Sequence, residues 1–128
     1  MISGVRELPF GNPTEFNAYN PLPEGFRAED GFLFHGTSED CATSIVGQGF
    51  APTGELRSSS FTRQAGLALG YACNKRKSGF RGAILVISFP SIDVRGVRNE
   101  GDVVYLDDHA IQPKVVAICL VPDSYLHI

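Results

Sequence analysis

The run Ala83-Ile84-Leu85-Val86-Ile87-Ser88-Phe89 constrains this chain more than any other stretch. It is rich in β-branched residues, almost wholly apolar, and bounded by Gly82 and Pro90. A strand of that composition has no face to offer water, so it belongs in the middle of a sheet with cover on both sides. Val115–Val121 is a second long apolar strand, and Asp102–Leu106 a shorter one. With 128 residues and 43% hydrophobic content the chain is one domain built on a single core.

The preceding half alternates strand and helix. Phe32-Leu33-Phe34-His35 reads as a short strand ending on a histidine, and Gly36 lets another backbone or a ligand come close. A helix then starts on Thr37 or Ser38, with Glu39 and Asp40 in the first turn where the helix dipole favours them. Its stripe is Ala42, Ile45 and Val46, and Gly47 or Gly49 supplies the stop. A loop over Ala51–Glu55 leads to an extended piece, Leu56–Thr62. Thr62 caps a helix from Arg63 to about Asn74, whose stripe of Ala65, Ala68, Leu69, Ala72 and Cys73 predicts close packing on a sheet. Lys75–Arg81, Ser91–Asn99 and Asp107–Pro113 read as loops or turns. Helices early and β pairs late predict an α+β fold. Residues 1–30 carry Pro9, Pro13, Pro21 and Pro23 and read as an irregular N-terminal arm, tacked to the 31–128 body by Phe10, Phe16, Tyr19 and Phe26.

The net charge of −3 offers no footprint for a nucleic-acid backbone, and Lys75-Arg76-Lys77 with Arg81 reads as a solvated loop. Cys41, Cys73 and Cys119 are odd in number and widely spaced, so reduced, buried thiols and no metal are expected. The absence of a transmembrane run and of a signal sequence predicts a cytoplasmic protein, or one exported by a non-classical route. There is no Gly-Lys-Ser/Thr phosphate loop, GxGxxG, GxSxG or HExxH motif.

Three polar points stand at the ends of apolar elements: His35, Ser58-Ser59-Ser60, and Glu100 with Asp102. Two acids flanking Gly101 on one strand share a face and would stabilise positive charge developing in a cleft, though the spacing equally fits a solvated turn. His35 fits either a ligand-binding group or a hydrogen-bonded strand terminus. Ser60, His35 and Asp102 contain the atoms of a hydrolase triad without a nucleophile elbow. His109 lies in a polar turn and is expected to be exposed; His127 beside the C-terminus reads as incidental.

In order and spacing these segments resemble the ADP-ribosyltransferases, in the diphtheria-toxin and poly(ADP-ribose) polymerase branch, over residues 31–121. The first motif is Phe34-His35-Gly36-Thr37; the resemblance implies that His35 binds the adenosine ribose of NAD and the Gly36 backbone holds the nicotinamide amide. The second is Ser60-Phe61-Thr62 with Tyr71 eleven residues after Ser60, which implies that Tyr71 stacks on nicotinamide. Ser60 stands where the family carries an aromatic, and Phe61 lies beside it. The third is Asn99-Glu100-Gly101-Asp102 before Val103-Val104-Tyr105 and Ile111-Gln112-Pro113; it implies that Glu100, or alternatively Asp102, is the acid that steadies the oxocarbenium-like transition state.

The resemblance implies a small fold of two packed antiparallel or mixed sheets. It also implies a monomeric mono-ADP-ribosyltransferase that cleaves the nicotinamide–ribose bond of NAD and passes ADP-ribose to a macromolecular acceptor, with no metal and no membrane. The alternatives are an NAD glycohydrolase, an RNA 2'-phosphotransferase-like enzyme, or a binding module without turnover. The phosphotransferase needs basic residues, for which Arg57, Arg63 and the 75–81 loop are the candidates.

Overall fold

The computed structural model describes residues 5–51 and 58–126. Among them lie strands β1 (Arg6–Leu8), β2 (Leu33–Ser38), β3 (Ser59–Thr62), β4 (Gly82–Ser88), β5 (Val97–Glu100), β6 (Val103–Leu106) and β7 (Lys114–Val121), with helices α1 (Glu39–Gln48) and α2 (Ala65–Lys75). The fold is α+β. The described strands form one mixed sheet in the order β1-β7-β4-β2-β3-β6-β5, in place of the two packed sheets expected. The two halves join because β2 and β3 pair at Phe34 and Thr62. Beyond that pair β2 continues along β4 as far as Ser38 opposite Gly82, while β3 follows β6 from Thr62 back to Ser59.

The apolar run is central, as its composition requires. Strand β4 lies between β7 and β2, and its side chains divide between two buried clusters. Ile84 and Val86 join Phe34, Leu69 and Cys119 beneath α2; Leu85 and Ile87 join Leu33, Phe50, Phe61 and Leu106 on the opposite face.

Elements 1–30 and 91–99 differ from expectation. The arm contains β1, an edge strand parallel to β7 with Leu8 opposite Cys119. Of its three residues only Leu8 is buried, too short an alternation to show a period. Phe10 packs edge-on to Tyr125 and Phe26 stacks on Phe32, whereas Phe16 and Tyr19 are exposed and do not tack the arm down. Strand β5 occupies the end of the 91–99 loop and runs on to Glu100; only Val97 of its four residues is buried.

Element ends follow local hydrogen bonds. Strand β2 runs three residues past His35, and Ser38 is the cap, its Oγ accepting the Cys41 N–H at 3.2 Å. Thr37 is therefore a buried strand residue. Helix α1 ends before Gly49. The Thr62 hydroxyl accepts the Gln64 N–H at 3.1 Å, and α2 starts at Ala65 because the Arg63 N–H donates to the Asp102 carbonyl at 2.9 Å. Leu56 and Arg57 of the expected extended piece, and His127, lie outside the described residues.

Helix α2 sits on the sheet through its small residues: Ala65, Ala68, Leu69 and Ala72 are buried. Its seat is Gly36, where a Cβ would lie 1.9 Å from the Ala68 carbonyl oxygen. Gly82 is a second contact, its notional Cβ 2.6 Å from the Ala72 carbonyl oxygen. Gly36→Ala would lift α2 from β2, and overpacking of this kind is expected to cost about 3 kcal/mol of unfolding free energy. Urea denaturation of the variant would check this; a cost within experimental error of zero would show that α2 is not seated there.

Candidate functional site

Where β2 and β3 part, the sheet is left open beside α2, and a cavity of about 190 Å³ fills the gap. Its floor and walls come from His35 and Gly36 of β2, Ser60 and Phe61 of β3, Tyr71 of α2, and Tyr105 of β6. Ser60 pairs with Tyr105 and Thr62 with Val103, so these side chains share the sheet face that borders the cavity. Phe61 points the other way: it is 1% exposed and its ring meets Phe50 and Phe89 edge-on, so its side chain serves the core.

His35 Nδ1 lies 2.8 Å from the Ser60 carbonyl oxygen. A carbonyl can only accept, so Nδ1 carries the hydrogen and the neutral ring keeps Nε2 as an acceptor. The ring packs edge-on to Phe50 and tilted against Phe61, at centroid distances of 5.2 and 5.6 Å. Desolvation in that aromatic setting holds the imidazole pKa below 6.5; the Lys75 charge pushes the same way and the Ser60 carbonyl opposes both. At neutral pH the site offers an uncharged imidazole.

Tyr71 is 49% exposed and presents its ring on the cavity wall. Leu67 and Lys75 also line it, four residues to either side of Tyr71, as a helix face requires. The same spacing in the sequence, read outward from Tyr71, would have found both. Val103 and Tyr105 follow from strand alternation once β6 is placed beside β3.

Thr37, Glu100 and Asp102 do not line the cavity among the described residues. Glu100 and Asp102 do not share a strand face either, because Gly101, at φ 78, and Asp102 form the turn between β5 and β6. The Asp102 carboxylate accepts the Gln64 side-chain N–H at 2.9 Å. Glu100 stands opposite Val103 and Arg98 opposite Tyr105, on the cavity-side face one strand further out. There the Glu100 carboxylate lies 3.4 Å from the Arg98 guanidinium, which itself covers the Tyr105 ring at 4.5 Å.

A second polar group occupies the far end of β3. Ser59 Oγ and His109 Nε2 are 2.9 Å apart, so His109 is half-buried and paired, contrary to the expectation of an exposed turn. The Ser58 hydroxyl donates to Asp107 at 2.5 Å, and Arg98 grips the same carboxylate at 2.6 Å. These bonds, Arg98 first and Ser58 second, hold the Asp107 carboxyl below its ordinary range. The triad Ser60, His35, Asp102 is not assembled among the described residues: His35 bonds the Ser60 backbone carbonyl and neither the Ser60 hydroxyl nor Asp102, whose carboxylate is bound to Gln64.

The thiols differ from a uniformly buried set. Cys119 is buried, with its pKa pushed up to about 12 by desolvation; Cys73 is half-buried and Cys41 exposed on α1. Within the basic stretch, Arg76 donates to the carbonyls of Pro122 and Tyr125 and Arg81 pairs with Glu39 at 2.7 Å, so these two are structural contacts and not a free solvated run. Among the described residues no cluster of His, Cys, Asp and Glu is arranged to hold a metal, and no helix is long and apolar enough to cross a membrane. No protein-family model, curated protein or solved structure matches this chain.

The lowered His35 pKa has a consequence for stability. The unfolded imidazole takes up a proton near 6.5 and the folded one only at lower pH, so stability is full above 6.5 and falls as pH drops through the folded value. The slope of unfolding free energy against pH below 6.5 should approach at most about 1.4 kcal/mol per unit from this residue. His35→Gln, whose amide still reaches a carbonyl, should flatten that part of the profile; an unchanged slope in equilibrium unfolding from pH 7.5 to 5 would assign it to other groups.

Proposed function

We propose that this chain cleaves the nicotinamide–ribose bond of NAD and transfers ADP-ribose to a macromolecular acceptor, in the manner of the ADP-ribosyltransferases its motifs resemble. What carries the reading is a convergence: His35, Gly36, Ser60, Phe61 and Tyr71, spread over three elements, border one cavity. At about 190 Å³ it has room for a single aromatic ring, with the rest of a dinucleotide lying along the open surface.

In this reading the nicotinamide ring enters beside Tyr71, whose electron-rich face suits a flat cation. The neutral His35 accepts a ribose hydroxyl through Nε2. As the C1'–N bond breaks, its electron pair stays with nicotinamide and positive charge builds on the ribose. A carboxylate facing that carbon stabilises the charge, and the acceptor's nucleophile closes the new C1' bond and loses its proton. Glu100 is the favoured acid because it sits on the cavity-side face of the β5–β6 hairpin, whereas Asp102 is turned to Gln64.

A second reading has one observation in its favour. Neither carboxylate lines the cavity, which suits a module that binds NAD without turnover. Calorimetry with NAD together with assay of free nicotinamide separates the two: binding with nicotinamide release supports the enzyme, binding alone supports the module, and no binding defeats both. Labelled NAD incubated with and without cell lysate then distinguishes transfer from hydrolysis. Glu100→Gln should lower nicotinamide release about 100-fold or more while leaving NAD affinity within about threefold, and Asp102→Asn should leave release nearly unchanged. Tyr71→Ala should weaken NAD binding about tenfold through loss of the stacking ring. Full activity in Glu100→Gln would remove that residue from the mechanism.

A further inference from the structure

On the other side of Phe34, a separate groove of about 440 Å³ runs between the N-terminal arm and the start of α2. Its charged lining residues are Arg27, Arg63 and Glu29, and Tyr19, Phe34 and Gly66 are among the rest of its walls. In a chain of net charge −3, two guanidiniums on one concavity are a local reversal of sign.

Both arginines have most of their hydrogen-bonding capacity unspent. Each guanidinium carries five N–H donors in a planar fork. Among the described residues, Arg27 makes one long side-chain bond, 3.4 Å to the Leu22 carbonyl, and its Nε is buried with no acceptor. Arg63 likewise makes one long bond, 3.4 Å to Asn99 Oδ1. The ion pairs formed among the described residues use Arg81 and Arg98, not these two. That contrasts with Arg76, Arg81 and Arg98, whose forks are committed to carbonyls or carboxylates at ordinary distances. The groove also borders the start of α2, where no side chain caps the helix and Gly66 brings the backbone to the surface.

We propose that this groove binds a terminal phosphate group, that is, a phosphomonoester or inorganic phosphate held by Arg27 and Arg63. Two forks supply two positive charges and paired donors, which match a dianion with three terminal oxygens better than a diester with one charge and two free oxygens. Glu29 is the opposing element: its carboxylate on the wall repels the ligand and sets a modest affinity. The inference stands independently of NAD chemistry, because it concerns a different concavity and a different charge type.

The test is a titration of the amide NMR spectrum with inorganic phosphate, methyl phosphate and dimethyl phosphate at constant ionic strength and pH 7.5. Saturable shifts centred on Tyr19 and Gly66 are expected with the first two ligands, and at least tenfold weaker binding with dimethyl phosphate. Arg63→Gln should weaken methyl phosphate binding about tenfold or more, Glu29→Gln should tighten it several-fold, and Lys77→Gln should leave it unchanged. Arg27→Gln should act as Arg63→Gln does; because the Arg27 Nε is buried, the Arg63 and Glu29 variants decide the matter if that one fails to fold. Shifts that never saturate, an affinity indifferent to Arg63→Gln, or equal binding of dimethyl phosphate would each overturn the proposal.

Discussion

The hydrogen bond from His35 Nδ1 to the Ser60 carbonyl spans the place where the sheet would otherwise come apart. β2 and β3 meet at Phe34 and Thr62 and then follow different partners, β4 on one side and β6 on the other. A side chain takes over where backbone pairing stops. The imidazole reaches across the fork, and the rings of Phe50 and Phe61 hold it there. The same packing excludes water, so the histidine that bridges the two strands is also a histidine kept neutral. The opening of the cavity and the protonation state of its polar wall thus have one cause.

Helix α2 forms the remaining wall because nothing stands between it and the sheet. Its carbonyls at Ala68 and Ala72 come so close to Gly36 and Gly82 that neither position has room for a Cβ. With the helix pressed down on that side, the face bearing Leu67, Tyr71 and Lys75 overlooks the cavity, while its first turn overlooks the arginine groove. Two concavities of different character therefore share one helix and one buried ring, Phe34. The first counts Phe34, Tyr71 and Tyr105 among its lining residues; the second is bordered by Arg27 and Arg63.

The hairpin of β5 and β6 is anchored at a distance from both. Gln112 makes a paired set of hydrogen bonds to the Phe50 backbone, N–H and carbonyl both at 2.9 Å, and a further one to the His109 carbonyl at 2.7 Å. Ser59 with His109, and Ser58 and Arg98 with Asp107, tie β3 and β5 to the same turn. This network holds Arg98 over Tyr105, while the β5–β6 register sets the face of the hairpin on which Glu100 lies. Little of it has a sequence signature, because apart from the Gln112–His109 bond its members join residues roughly ten to sixty positions apart through single polar atoms.

Patterns that act within a few residues were legible without coordinates. The central strand declared itself by having no polar face, α2 by its small-residue stripe, the start of α1 to within Thr37 or Ser38, and Gly36 by the close approach a glycine allows. Those features depend on local propensity and periodicity, which the chain carries wherever it folds. Edge strands β1 and β5 were not legible, since each buries a single residue and borrows its conformation from a partner. Nor was the short pairing of β2 with β3 at Phe34 and Thr62, which makes one sheet where two were expected, nor the placing of Arg27 and Arg63 on one groove. Those outcomes depend on where strands separate and what a helix leaves uncovered, and such things are set by packing between distant segments, which no short window of sequence contains.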